Sequence, residues 1–137
     1  MSDCLFCRIA SGEIPAAVVY RDDEHLAFMD IGPVNAGHLL VVPHRHFESA
    51  ATMPSEAVGR LFALGSRLAG AAVRAVGADG YNLTTNSGPA AGQIVMHTHV
   101  HAIPRFADDG LKHWGSREMP AEEIEALAER VRQALAE

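Results

Sequence analysis

The sequence predicts an α+β fold, in which a five-stranded antiparallel sheet carries one long helix and a C-terminal helix. Five short apolar segments are separated by turn-forming residues, which is the pattern of strands. Two longer segments repeat apolar residues every three to four positions, which is the pattern of amphipathic helices. Consecutive strands with short connections favour antiparallel pairing with the helices on one side. The 137 residues fit a single domain, 1–137.

Turn-forming residues set the ends of the predicted strands. Pro43 and Pro104 are expected to stop the strands that precede them, because proline has no N–H to donate to a ladder. The glycine-rich segment 86–92 is predicted as a loop. The predicted strands are residues 17–20, 25–29, 37–43, 81–85 and 93–103.

Three helical segments are predicted, at 4–10, at 54–76 and from about residue 120 onwards. Pro54 suits the first position of the long helix, and Gly77 suits its C-terminal cap. Glycines within the long helix are tolerable if it packs closely on the sheet. The apolar stripe of the C-terminal helix is Ile124, Leu127, Ala128, Val131 and Leu135.

Composition and charge argue against several classes of protein. The formal net charge is -6 and Lys112 is the only lysine, so the basic patch of a nucleic-acid-binding protein is missing. No apolar run approaches the length of a membrane span. The start of the chain lacks the pattern of a secretory signal peptide. We therefore expect a cytoplasmic protein that binds neither nucleic acid nor membrane.

Three of the eight histidines alternate along the last predicted strand. Alternate side chains of a strand share a face, so His97, His99 and His101 are expected to line one accessible face. At about 3.3 Å per residue, the first and last lie roughly 13 Å apart, so one zinc ion cannot bind all three. A neutral imidazole attacks phosphorus well, and at an ordinary pKa of about 6.5 it is mostly neutral at pH 7. The pattern therefore indicates nucleophilic catalysis.

Cys4 and Cys7 form a Cys-x-x-Cys pair. In a reducing compartment this spacing indicates metal binding or redox chemistry rather than a structural disulfide. No thioredoxin-like βαβ pattern follows, which disfavours redox chemistry, and two unrelated thiols remain a further alternative. A closed tetrahedral zinc site needs two more ligands.

Five ordered motifs resemble the histidine triad nucleotide-binding family. They lie at residues 4–9 with 12–15, 28–31, 37–43, 86–93 and 97–103. The resemblance covers the chain to about Arg105 and implies a HIT-like α+β fold that binds a purine nucleotide or a nucleotide conjugate. It implies hydrolysis at the α-phosphate of phosphoramidates or dinucleoside polyphosphates, through a nucleotidyl-histidine intermediate. It also implies a homodimer whose two sheets join edge to edge.

The resemblance assigns roles to individual residues. His99 becomes the nucleophile, His101 holds the α-phosphate and His38 helps to orient the triad. His101 stands where the transferase branch has glutamine, which favours hydrolysis. The remaining nucleotide contacts are Phe6, Ile9 and Phe28 around the base, Asp30 at the ribose hydroxyls, and Asn86, Gly92 and Gln93 at the phosphates.

Simpler interpretations of the same residues stay open. His38 could be a structural histidine, Asp30 a turn-former, the glycine-rich loop a plain turn, and the apolar contacts core. Ile94 stands where several branches place Ser or Thr to protonate the leaving group, which puts departure of poor leaving groups in doubt. His113 with Trp114 resembles a C-terminal element near some active sites, although its spacing from the triad differs. His25 and His44 are interpreted as surface residues.

The resemblance also completes the metal site, because some bacterial members hold zinc with two cysteines and two histidines. The matching positions here are Cys4, Cys7, His46 and His97, which predicts a structural zinc ion. Two other function classes remain. A nucleotide-binding module with little turnover, acting through protein contacts, predicts tight mononucleotide binding without cleavage. A zinc-dependent hydrolase predicts loss of activity on chelation.

Overall fold

The computed structural model describes residues 3–137, and in this part of the chain five strands form one antiparallel sheet. The five-stranded antiparallel sheet is the one that the sequence predicted, and the order across it is β1-β2-β3-β5-β4. The strands are β1 (Val18–Arg21), β2 (His25–Met29), β3 (Leu39–Pro43), β4 (Gly80–Thr84) and β5 (Val100–Arg105). The helices are α1 (Leu5–Ala10), α2 (Ser55–Val76) and α3 (Ala121–Leu135).

The long helix α2 covers one face of the sheet. It begins one residue later than predicted, with Pro54 at its N-cap, and ends at Gly77, whose φ of 68° is left-handed. Gly65 allows the close approach that the sequence required, since a Cβ there would lie 3.1 Å from Leu83. The core on this face includes Ala27, Leu39, Val41, Leu61, Leu64, Leu68, Val100 and Ala102.

The short helix α1 covers the opposite face. Alternate residues of β2 and β3 point to opposite sides of the sheet, and the second set packs against Phe6 and Ile9 of α1. The residues of this second set are Leu26, Phe28, Leu40 and Val42. The expectation that the helices share one side of the sheet is therefore wrong for α1.

Strand β5 is shorter than predicted and begins only at Val100. The predicted strand 93–103 is wrong over its first seven residues, because their backbone groups bond elsewhere. The N–H of Thr98 donates to the carbonyl of Phe47 at 2.7 Å, and that of His97 to Val95 at 2.9 Å. Of the three alternating histidines, only His101 lies within the strand.

Pro104 lies inside β5 instead of stopping it, and the strand continues to Arg105. The pairing of β5 with β3 reaches only as far as Ala102, where Leu39 begins β3. On that side no strand faces the proline, so its missing N–H costs no ladder bond.

Two further sequence expectations are corrected. The apolar stripe of α3 does not enter the core, since none of the residues of this helix is buried. His25 is buried, not exposed, and its ring lies 3.2 Å from the Asp22 carboxylate. None of the helices in residues 3–137 is long and apolar enough to cross a membrane.

Candidate active site

A cavity of about 360 Å³ opens on the α1 face of the sheet. Its walls include seven of the predicted nucleotide-binding residues: Phe6, Ile9, Phe28, Asp30, Gly92, His99 and His101. Sequence reasoning did not assign several other apolar wall residues, namely Leu5, Ile14, Pro15, Ala16, Met29, Ile31, Leu40 and Val95. They come from the N-terminal helix, the segment after it, the sheet, and the loops after β2 and before β5, and only their position in the fold reveals them.

His99 lies at the wall of this cavity with a fixed tautomer. Its Nδ1 lies 2.7 Å from the backbone carbonyl of His97, which can only accept, so Nδ1 carries the hydrogen. The lone pair therefore resides on Nε2. Burial lowers the pKa of His99, and the His97 carbonyl partly opposes this shift. The side chain is thus neutral at pH 7, which is the nucleophilic form.

His101 and His38 form a second fixed arrangement. The N–H of Val34 donates to Nδ1 of His38 at 3.0 Å, so the His38 hydrogen is on Nε2. That nitrogen lies 3.0 Å from Nδ1 of His101 and donates to it, which leaves the His101 hydrogen on Nε2. Burial, and then the neighbouring His99 and His38, lower the pKa of His101 to about 4. His101 is therefore a neutral donor.

His38 is almost completely buried, with 2% of its surface exposed. Burial lowers its pKa, and the nearby Asp30 carboxylate partly opposes the shift. Its side chain has hydrogen-bond partners on both nitrogens, so it is both satisfied within the fold and able to orient His101. The two interpretations offered by the sequence are compatible.

Asp30 follows β2 and serves a turn as well as the cavity. One carboxylate oxygen accepts from the N–H of Gly32 at 2.8 Å. The other lies 3.5 Å from Nε2 of His38. The carboxylate is half-buried and lines the cavity, so it has lone pairs left for a ligand.

Gln93 holds the loop that enters the site. Its amide oxygen accepts from the N–H of Gly88 at 2.8 Å, and its nitrogen donates to Glu48 at 2.6 Å and to Val95 at 3.1 Å. Both of its N–H groups are thus used inside the protein. A direct bond from Gln93 to a phosphate would require one of these contacts to break.

The glycines of this loop are needed by its backbone. Gly88 and Gly92 have φ values of 92° and 96°, a region that other residues avoid. A Cβ on Gly92 would lie 3.4 Å from the side-chain nitrogen of Asn86. Gly92 lines the cavity, whereas Asn86 and Gln93 are not among its lining residues.

Four predicted metal ligands converge beside the cavity. Nδ1 of His97 lies 3.4 Å from Sγ of both Cys4 and Cys7 and 3.2 Å from Nδ1 of His46. His97 directs Nε2 at the carbonyl of Pro43, at 2.8 Å, which places its lone pair on Nδ1 inside the cluster.

This donor set fits zinc. A zinc tetrahedron with bonds of about 2.0 to 2.3 Å has edges of roughly 3.3 to 3.8 Å, and the four ligand atoms all lie within 4.8 Å of one another. Two sulfur and two imidazole ligands are a known structural zinc combination. A closed set of four leaves no position for substrate.

The three remaining histidines, His25, His44 and His113, do not line the cavity. His44 donates to the carbonyl of Asp22 at 2.9 Å and is half-buried. His113 lies on the exposed segment 111–120 beside a shallow depression near Arg105, and Trp114 is 95% exposed. Ile94, in contrast, does line the cavity and is 89% exposed.

Comparison with known proteins fits this geometry. The HIT domain family profile matches residues 11–108. The chain belongs to this family. Two curated relatives of this chain are named as enzymes. It is 35% identical to the adenosine 5′-monophosphoramidase of Schizosaccharomyces pombe over 93% of this chain and 95% of the relative. It is 38% identical to the adenylylsulfatase HINT3 of Arabidopsis thaliana over 86% of this chain and 59% of the relative.

Solved structures share the fold of this chain. A protein from Streptococcus mutans is 40% identical and superposes with a TM-score of 0.92, over 98% of this chain and 87% of that one. A zinc-bound histidine triad family protein from Mycobacterium smegmatis is 38% identical, with a TM-score of 0.77 over 98% of each chain. The HIT-like α+β fold predicted from the motifs is confirmed.

Proposed function

We propose that this protein is a nucleotide hydrolase that cleaves at the α-phosphate of nucleotide conjugates through a nucleotidyl-His99 intermediate. The observation that carries the proposal is the fixed tautomer of His99, whose Nε2 lone pair belongs to a buried, neutral ring at the cavity wall. Family membership supports it, since two relatives are named as hydrolases of adenosine nucleotide compounds.

The first step forms a bond from Nε2 of His99 to the α-phosphorus and breaks the bond to the leaving group, which departs with its electron pair. The ring becomes positively charged, and its Nδ1–H bond to the His97 carbonyl stabilises that charge. His101 donates from Nε2 to a non-bridging phosphate oxygen, held in this orientation by His38. A water oxygen then attacks phosphorus, the P–N bond breaks and its electron pair returns to Nε2. The nucleoside monophosphate leaves with one hydroxyl from the water, the other water proton passes to solvent, and His99 is neutral again.

The cavity suits the rest of a nucleotide. Phe6, Ile9 and Phe28 offer an apolar slot for a purine base, and Asp30 lies at the end of β2 where a ribose would follow. A carboxylate that accepts from two vicinal hydroxyls selects ribose. The backbone at Gly92 approaches the cavity without a side chain, which leaves room for phosphate.

Ile94 restricts the choice of leaving group. It offers no proton at the exposed rim of the cavity, so the leaving group must depart as a stable anion or take its proton from water. This favours acyl, sulfate or phosphate leaving groups over amines. A panel of adenosine and guanosine conjugates that differ only in the leaving group ranks these classes by kcat/KM.

The His99→Ala variant tests the mechanism. Loss of the nucleophile should lower kcat/KM for every substrate roughly a thousandfold or more, while AMP affinity changes little. Acid-labile labelling by a radioactive nucleotide should appear on the wild type and be absent from the variant. The matched control is His113→Ala, on the exposed tail. A His99→Ala variant with near-full activity would exclude the mechanism.

The second candidate function is a nucleotide-binding module with little turnover, which the apolar Ile94 favours. It predicts AMP binding with no cleavage of any conjugate in the same panel.

We further propose that the chain works as a homodimer in the cytoplasm, supported by the family resemblance and by the open edges of the sheet at β1 and β4. Sedimentation at several concentrations tests the dimer.

We also propose a structural zinc ion at Cys4, Cys7, His46 and His97, supported by the converging ligand atoms. Metal analysis of protein purified without chelator should find about one zinc per chain. The His46→Ala variant should bind less zinc and unfold at lower temperature than the wild type, because the ligands tie α1 to the sheet. Protein that contains no zinc would refute the site.

A further inference from the structure

We propose that a metal ion bound by Cys4, Cys7, His46 and His97 (the metal cluster) sets the affinity of the cavity for nucleotide. Phe6 and His97 are the positioning residues that join the two sites. The inference rests on the proposed function, because it concerns the same cavity. Within residues 3–137 the two sites are not separate features, since they share a helix, a ring and a peptide group.

The shared helix is α1. Cys4 caps its N-terminus and accepts from the N–H of Cys7, so both thiols belong to its first turn. Phe6 and Ile9 on the same six residues form a wall of the cavity. A helix this short has little stability of its own and depends on its tertiary contacts. Its two thiols bind it to the cluster, so the cluster fixes the cavity wall.

The shared ring is Phe6, which packs edge-on against one histidine of each site. Its centroid lies 6.0 Å from the ring of the metal ligand His97 and 4.9 Å from the ring of the nucleophile His99. Only 5% of Phe6 is exposed, so it has no room to move independently of these rings. A shift of α1 would therefore displace the wall against which the base packs.

The shared peptide group belongs to His97. Its ring directs Nδ1 into the metal cluster, and its backbone carbonyl accepts from Nδ1 of His99 at 2.7 Å. A ligated ring thus anchors the acceptor that orients the nucleophile. The other ring nitrogen is held by Pro43 at the end of β3, which fixes this residue between the sheet and the metal.

Two ligands that share one folded arrangement are thermodynamically coupled, and the coupling is reciprocal. Zinc should strengthen AMP binding, and AMP should strengthen zinc binding by the same factor. Couplings of this kind typically lie between about 5-fold and 150-fold, and we expect roughly tenfold here.

The test measures both sides of the coupling. AMP affinity is determined by calorimetry for zinc-loaded wild type and for protein after chelation, and zinc affinity by competition with a chelator, with and without AMP. The His46→Ala variant should lose AMP affinity as chelated wild type does, although His46 does not line the cavity. Arg45→Ala, an exposed neighbour outside the cluster, is the control and should bind AMP like the wild type.

A Phe6→Leu variant separates coupling from global folding, which circular dichroism follows in parallel. Leucine keeps an apolar contact and all four ligands, so the variant should fold and bind zinc, but without the shared ring its AMP affinity should depend on zinc less than that of the wild type. Full coupling in Phe6→Leu would overturn the role assigned to Phe6. It is also the result expected if chelation simply unfolds the protein, which circular dichroism detects. Equal AMP affinity of folded wild type with and without zinc would overturn the inference. If zinc-loaded wild type does not bind AMP at all, the proposed function itself fails.

Discussion

Each histidine at the centre of the site has one nitrogen fixed by a partner whose role is unambiguous. A carbonyl accepts from His99 and another from His97, while a backbone N–H donates to His38. These three contacts decide which nitrogens carry a hydrogen and which keep a lone pair, as the proposed nucleophile and the proposed metal ligand require. The chemistry of four imidazoles therefore follows from backbone groups, not from the imidazoles alone.

The contribution of Asp30 to ribose recognition is testable because its two oxygens have different neighbours. Asp30→Ala removes the acceptor for the ribose hydroxyls, and a hydrogen bond to a charged group contributes roughly 1.5 to 3 kcal/mol. Affinity for AMP should fall about 10-fold to 100-fold, since 1.4 kcal/mol is about tenfold. Affinity for the 2′,3′-dideoxy analogue should barely change. Both affinities are measured by calorimetry.

Asp30→Asn is the matched control for this experiment. The amide oxygen can still accept from the N–H of Gly32, so the turn after β2 is retained while the carboxylate charge is lost. If Asp30→Ala weakens both nucleotides equally and Asp30→Asn weakens neither, Asp30 acts only through the turn.

At the residue scale, local patterns in the sequence pointed to candidate side chains but not to the contacts between them. The motif around His99 and the Cys-x-x-Cys pair are local patterns, so they could be recognised directly. The bond from His38 to His101 joins residues 63 positions apart and depends on the pairing of β3 with β5. No local pattern encodes the tautomers that this bond fixes.

At the scale of elements, the segment before β5 shows where periodicity misleads. Alternation from 97 to 103 resembles one continuous strand, but before Val100 the N–H of His97 bonds Val95 in the same segment and that of Thr98 bonds Phe47 in the loop after β3. Alternation indicates which side chains face the same way locally, but it does not indicate which backbone groups will pair with that segment. Because the chain leaves the ladder there, the ring of His97 reaches the cysteines while His101 stays in the sheet.

Gln93 links the glycine-rich loop to the loop after β3, and its removal should destabilise the domain. Gln93→Ala leaves the N–H of Gly88 and the carbonyl of Glu48 without the partner that joins the two loops, and it empties a buried side-chain position. The free energy of unfolding should fall by about 1 to 3 kcal/mol. Urea unfolding at pH 7 measures it, with Ser87→Ala, an exposed residue of the same loop, as the control.

The same pair of variants decides whether Gln93 contacts phosphate. A merely supporting side chain predicts that Gln93→Ala lowers stability and raises KM together. Loss of activity with unchanged stability would instead assign Gln93 to the phosphate, as the family resemblance suggested.

Helix α3 shows a different limit of sequence reasoning. Its helical period was predicted correctly, and Ala121–Leu135 is a helix. The stripe itself is exposed, with Val131 at 59% and Leu135 at 80%. A hydrophobic period reveals that a helix has an apolar face, but the identity of the surface that it meets is a tertiary property.

At the scale of the whole molecule, the two faces of the sheet differ in what packs against them. Helix α2 buries its stripe on one face, whereas the other face carries α1, the metal cluster and the cavity. The two faces share β2 and β3, whose alternate residues serve each side. Substitutions under α2 should therefore act on stability, and substitutions under α1 on ligand binding as well.

The buried histidines on the face covered by α1 make the stability of the whole molecule depend on pH. Burial is the main cause that lowers the pKa of His38, His97, His99 and His101 in the folded state. In the unfolded chain these groups titrate near pH 6.5. Between about pH 6.5 and 4 the unfolded state therefore binds more protons, and the free energy of unfolding falls as the pH falls.

Carboxylates change the free energy of unfolding at a lower pH than the histidines do, so the two contributions can be separated. Burial opposes the shift at Asp22, but hydrogen bonds from the Glu24 backbone and from His25 lower its pKa to about 2. The stability that Asp22 contributes is present above its unfolded pKa and is lost only as the pH falls from about 4 towards 2. A loss of stability that begins near pH 6 is therefore assigned to the histidines.

His101 gives this argument its sharpest test, because its pKa falls to about 4 in the folded state. One histidine that is protonated only when unfolded changes the free energy of unfolding by at most about 1.4 kcal/mol per pH unit. Urea unfolding of the wild type from about pH 7.5 to 4.5 should show stability falling below pH 6.5. His101→Asn, whose amide oxygen can still accept from His38, should show a shallower fall. Loss of metal at low pH affects both proteins, so the difference between their slopes isolates His101. Identical slopes would mean that His101 titrates alike in the folded and unfolded chains, and the neutral phosphate donor proposed here would lose its basis.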